Sequence, residues 1–148
     1  MIRSNRDSML WKLEGITDDQ ARERVVDSLT TLIGLVKHMT LVERWWVRIV
    51  MDSEDIPLPW SEDDHDEEWR LTDEDTISAA LEAYAAEVEI ADAVIAGQAD
   101  LGREVEARGR TYAIRWILMH LIEEIARHAG HADIIRETLD GETGYLRG

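Results

Sequence analysis

Four residues toward the C-terminal end of the chain are of the types that hold metal ions or move protons: His120, Glu124, His128 and His131. Their spacings of four, four and three are the period of one helix face. Successive members rise by roughly 4.5–6 Å along a helix axis, so neighbours can share one ion. Ile117, Leu121, Ile125, Ala132 and Ile135 flank the same stripe. Three imidazoles and a carboxylate therefore point at or near a core, where such groups are costly unless something satisfies them. Two readings compete. In one, the His residues are half-buried and hydrogen-bonded, and Glu124 pairs with Arg127 near the surface. In the other, Glu124 and His128 are an i,i+4 pair of metal ligands. A pair does not close a site, and the remaining candidates for a third imidazole are His38 and His65.

The elements that must position these groups read as helices. Thr111–Asp140 contains no Pro and a single Gly, Gly130, which predicts one long helix stopped by Gly141. Ser28–Met51 carries apolar residues at helical spacing (Leu32, Leu35, Val36, Met39, Val42, Trp46, Ile49, Val50), with His38 in its middle and Gly34 one turn before it. Arg3–Glu14 predicts a short amphipathic helix ended by Gly15. Ile16–Val26 predicts a connector in which Thr17 can cap one helical turn. Thr72 with Asp75 resembles a capping box opening a third long helix, whose buried face runs through Ile77, Leu81, Tyr84, Val88, Ala91 and Ile95 to a stop at Gly97. Asp52–Leu71 holds both prolines, Trp60, Trp69 and the acidic run around His65. It reads as a long loop, solvated where it is acidic and packed down where it is aromatic. Leu101–Arg110 reads as a charged connector with room for a hairpin-like excursion, but no convincing strand pair. The expectation is an all-α, four-helix bundle forming a single domain over 1–148. Bundle cores are where ligands from facing helices meet, and His38, mid-helix in the second element, is the natural third ligand for Glu124 and His128.

Composition removes several classes. Acidic residues number 32 against 16 basic ones, a net charge of −16, which argues against a nucleic-acid backbone or an anionic membrane surface as partner. With no Cys, a disulfide framework, a thiolate nucleophile and a thiolate zinc site are excluded, so any metal is held by His, Asp or Glu. The longest stretch without charge, Ser28–Val36, is too short to span a bilayer, and the N-terminus lacks the apolar run of a secretion signal, so the cytoplasm is the expected compartment. Arg supplies 14 of the 16 basic residues, a bias typical of GC-rich genomes.

The segments GITDDQARERVVDSLTTLIGLVKHMTLVERWW and WILMHLIEEIARHAGHADIIRETLDG resemble the DinB-like superfamily, in the branch of DinB family and mini-circle proteins, over nearly the whole chain. The resemblance is strongest at LVKH…VERWW and HLIEEIARHAGHAD and weak in the acidic loop. It implies a four-helix bundle of the DinB type with a divalent-metal site: one His from the second helix, matched by His38, and an i,i+4 pair from the last, matched by Glu124 and His128. Glu124 stands where all-His members carry His. A His-Glu-His set is similar to that of the mycothiol-dependent maleylpyruvate isomerases. Zinc is the first expectation for the ion, with nickel, manganese or iron as alternatives. His131 falls where many relatives have Gln and is the candidate acid/base, fourth ligand or outer partner of a ligand; His120 reads as structural or as an outer partner.

Three protein ligands leave a position open, the catalytic pattern. Relatives with known chemistry are thiol-dependent transferases and isomerases, which implies a small thiol as co-substrate and an electrophile as its partner. The GC-rich signature suggests an actinobacterium-like source and makes mycothiol the first expectation. Two other readings stand beside this one: a hydrolase with His131 or Glu123 as base, and a non-catalytic bundle with a structural metal or none. Arg127 or Arg136 could hold an anionic part of the substrate, though a solvent-facing role fits each of them as well. Surplus Trp and Leu on the helices, together with the pairing habit of such bundles, lead to the expectation of a homodimer.

Overall fold

The structure, a computed structural model, describes residues 1–57, 60–61, 63–64 and 66–143. His65, and with it the cation site considered for the acidic run, lies outside the described residues, as do Gly144–Gly148. The chain runs α1 (Ile2–Trp11), α2 (Asp18–Arg22), α3 (Leu32–Glu43), a π-helical continuation of α3 (Arg44–Met51), a 3-10 turn (Glu67–Trp69), α4 (Ile77–Ala96), the hairpin β1 (Glu104–Ala107) and β2 (Arg110–Ala113), and α5 (Ile114–Asp140). It is mostly helical. α1 packs on α5, and α3 packs on both α4 and α5. The core between them is formed by Met9, Leu32, Ile33, Leu35, Val36, Met39, Tyr84, Ile117, Leu121 and Ile125, all at or near zero exposure. No helix among the described residues is long and apolar enough to cross a membrane.

Three expectations need correction. The second long helix starts at Leu32 rather than Ser28, because the Thr31 hydroxyl accepts the Gly34 N–H at 3.0 Å and caps it. Ser28 instead bonds Thr30, and Arg24 binds the carbonyl oxygens of Asp27 and Ser28. The third helix does not open at Thr72. Asp75 does accept the Thr72 N–H at 2.6 Å, but this closes a turn, and Lys37 holds the same carboxylate at 2.9 Å. Thr76 is the cap, accepting the Ala79 N–H at 3.1 Å, while Asp18 takes the Ile77 N–H at 2.7 Å.

The third correction is the strand pair. Glu104–Ala107 pairs antiparallel with Arg110–Ala113, with Ala107 opposite Arg110. The two-residue loop places Arg108 at φ 50 and Gly109 at φ 72, the left-handed pair of a type I′ turn. The fold is therefore mostly helical, broadly compatible with the expected all-α bundle, with a small two-stranded sheet added at the entry of α5. The expected helical turn after Thr17 is present with its full capping box to Gln20, and Gly141 at φ 79 ends α5.

Polar groups tie the helices together from within. Glu43, wholly buried on α3, accepts from Arg6 Nε at 2.8 Å and from the Tyr84 hydroxyl at 2.6 Å, and also pairs with Arg6 Nη2. Arg6 reaches on to Asp92 at 2.7 Å. This cluster links α1, α3 and α4 a little more than one turn beyond His38.

Candidate metal centre

α3 contributes His38 and α5 contributes Glu124 and His128, and the packing of these helices sets the three groups face to face. One ligand atom from each lies within 4.8 Å of the other two. The His38 ring meets the His128 ring edge-on at 4.7 Å between centroids, and His128 Nε2 stands 3.5 Å from Glu124 Oε2. His128 is buried, while the His38 and Glu124 side chains keep 16% and 14% exposure.

Each member is engaged on its outer side. His38 Nδ1 bonds Glu68 Oε2 at 3.0 Å, and its ring stacks on Trp69 at 4.7 Å and 24°. His128 Nδ1 meets His131 Nδ1 at 3.3 Å. Glu124 Oε1 accepts from Arg127 at 2.8 Å. The atoms left for a shared ion are therefore Nε2 of His38, Nε2 of His128 and Oε2 of Glu124, two nitrogens and one oxygen. Burial, with His38, His131 and Arg127 as neighbours, pushes the His128 imidazole down to about 4. The ring is thus neutral at physiological pH, the form that ligates. The donor set fits a divalent ion of the zinc type with a position open.

One oxygen of Glu124 pairs with Arg127, as in the first reading of that residue, and the other faces the imidazoles. His131 is exposed and touches the cluster only through His128. His120 stands apart: it stacks on Trp116 at 4.9 Å and 16°, and meets Trp46 edge-on at 5.0 Å, in an aromatic group that includes Tyr112. The two arginines considered for substrate have other work. Arg127 is occupied by Glu123 and Glu124. Arg136 is buried rather than solvent-facing, and donates to the carbonyl oxygens of Lys12 and Glu14 and to Asp140.

Sequence reasoning missed Glu68. It lies in an acidic stretch that carries no helical register to align it with His38. The available signal was the neighbouring Trp69, whose apolar bulk in so charged a loop required that this part pack against the helices.

Residues 1–141 match the family model described as mycothiol-S-transferase. No curated protein and no solved structure matches the chain.

Proposed function

The chain belongs to the mycothiol-S-transferase family, and we propose that it joins mycothiol to an electrophilic small molecule with the help of a divalent ion held by His38, Glu124 and His128 in a four-helix bundle of the DinB type. The observation that carries this reading is the convergence of three ligand atoms from two helices within 4.8 Å. Zinc suits two imidazoles and a carboxylate with an open position; nickel, manganese or iron are the alternatives. When bound, the ion lowers the pKa of a thiol, so that thiolate is available at neutral pH. The chain has no Cys of its own, so the sulfur nucleophile comes from the substrate.

The protein residues divide the remaining tasks. His38 and His128 supply the two nitrogen donors. Glu124 adds a negative charge and is steadied by Arg127. His131 accepts the Nδ1–H of His128 at its own Nδ1, which fixes that ring's tautomer, and the proton released by the thiol passes to solvent. In the transfer a sulfur–carbon bond forms, and the leaving group of the electrophile departs with its electron pair. The test incubates the protein and zinc with mycothiol, then bacillithiol, then glutathione, using monochlorobimane as electrophile. Thiol consumption above background, abolished by chelation and by His128→Ala, is the expected result. Bound zinc with no consumption of any of the three thiols refutes the transferase reading.

A further inference from the structure

The two imidazoles of the site differ in where their outer partners come from. His128 is steadied by His131, three residues along its own helix. His38 has no such neighbour: the positions one turn away on its helix are Gly34, Leu35, Leu41 and Val42, none with a side-chain acceptor. Its partner is instead Glu68, thirty residues on, in the segment between α3 and α4.

From this we infer that Glu68 is a positioning residue of the metal centre: it holds His38 as the Nδ1–H tautomer and so presents Nε2 to the ion. The inference rests on the reading that His38, Glu124 and His128 share a metal. A carboxylate can only accept, so the ring nitrogen 3.0 Å from it carries the hydrogen, and in the neutral, ligating form of the ring the opposite nitrogen holds the lone pair. Both side chains are mostly shielded, Glu68 at 15% exposure and His38 at 16%, so water competes weakly for the bond.

The surroundings hold this geometry from several sides. Trp69 covers one face of the imidazole. The indole lies against position 34, where a Cβ would stand in ordinary contact, 3.5 Å, with Trp69 Cε3, and tightly, 3.0 Å, against the capping Thr31 hydroxyl. The 3-10 turn Glu67–Trp69 directs Glu68 and Trp69 toward the same ring. Just beyond it, Lys37 Nζ donates to the Arg70 carbonyl at 3.5 Å and to Asp75 at 2.9 Å, clamping the segment onto α3 beside His38. Residues 67–70 thus wall one side of the site.

The experiment follows zinc affinity by competition with a chromophoric chelator, the visible spectrum of the cobalt-loaded protein, and the ¹⁵N signals of the His38 ring in the metal-free protein. Glu68→Ala is expected to weaken zinc binding by about 10–100-fold, alter the cobalt spectrum and lose the Nδ1–H tautomer. Glu68→Gln keeps an oxygen that can accept the Nδ1–H, and is expected to restore the tautomer and most of the affinity, a rescue that a space-filling role would not give. Zinc affinity and cobalt spectrum unchanged in Glu68→Ala overturn the inference. So does an Nε2–H tautomer of His38 in the unaltered protein, a readout that stands even where Glu68→Ala fails to fold. Unaltered protein that binds neither zinc nor cobalt refutes the metal reading instead, and the tautomer measurement separates that failure from this one.

Discussion

Glu43→Ala probes the charged cluster that fastens α3, and with it His38, to the rest of the molecule. The substitution removes the partner of Arg6 Nε and Nη2 and of the Tyr84 hydroxyl, all inside the core. Arg6 is 3% exposed and cannot turn to water, and burial beside Glu43 pushes the Tyr84 phenol far up, so it remains a protonated donor. Breaking a buried pair by deleting one member costs about 3–5 kcal/mol. Asp92 still holds Arg6 Nη1, which compensates part of the charge and places the expectation at the lower end, about 3 kcal/mol. For a chain of 148 residues that is a fall in Tm of about 10 °C. Glu43→Gln keeps an acceptor for Tyr84 and one Arg6 N–H and is expected to lose about half as much. The pair Arg6→Met with Glu43→Leu removes both charges and is expected to be milder than Glu43→Ala alone. Calorimetric melting of the three variants is the assay. A Tm within 3 °C of the unaltered protein for Glu43→Ala, or a double variant worse than the single, refutes the account of an uncompensated buried charge.

The Asp75 carboxyl gives the acid response of the segment that walls the site: burial opposes its ionisation, but the Thr72 N–H and the Lys37 ammonium outweigh it and hold the carboxyl below the usual range. A depressed folded pKa contributes stability above the unfolded value of about 3.9 that is lost as pH falls through the folded one. Asp75→Asn is therefore expected to lower the urea midpoint at pH 7 and to differ little from the unaltered protein near pH 2–3; equal losses at both pH values would contradict this. Gly109→Ala forces a Cβ onto a residue at φ 72 with nothing within 4 Å to clash, so only backbone strain acts. A loss of about 1 kcal/mol in urea unfolding is expected, and an unchanged midpoint would show that the turn relaxes freely.

Much of the candidate site is legible in the sequence. A period of three to four is a property of the helix itself, so Glu124, His128 and His131 had to share a face of α5, and their relation to Ile117, Leu121 and Ile125 is local. The same holds for the caps whose donor and acceptor are three residues apart, such as Thr17 with Gln20. Where two such signals competed, tertiary contacts decided. Asp75 was drawn to Lys37, so Thr76 rather than Thr72 opened α4. The hairpin was concealed because its turn is Arg108–Gly109 rather than Asn-Gly or Asp-Gly, and because its strands are charged as well as short. That Glu43 would sit fully buried was invisible for a different reason: its partners Arg6 and Tyr84 are 37 and 41 residues away. The meeting of His38 with His128 needed the packing of α3 on α5, which the pattern could suggest but not measure. The bond from Glu68 to His38 needed more still, because a segment without periodicity has no register to extrapolate. Its side chains acquire their directions only from what they pack against, here the His38 ring under Trp69 and the clamp at Lys37.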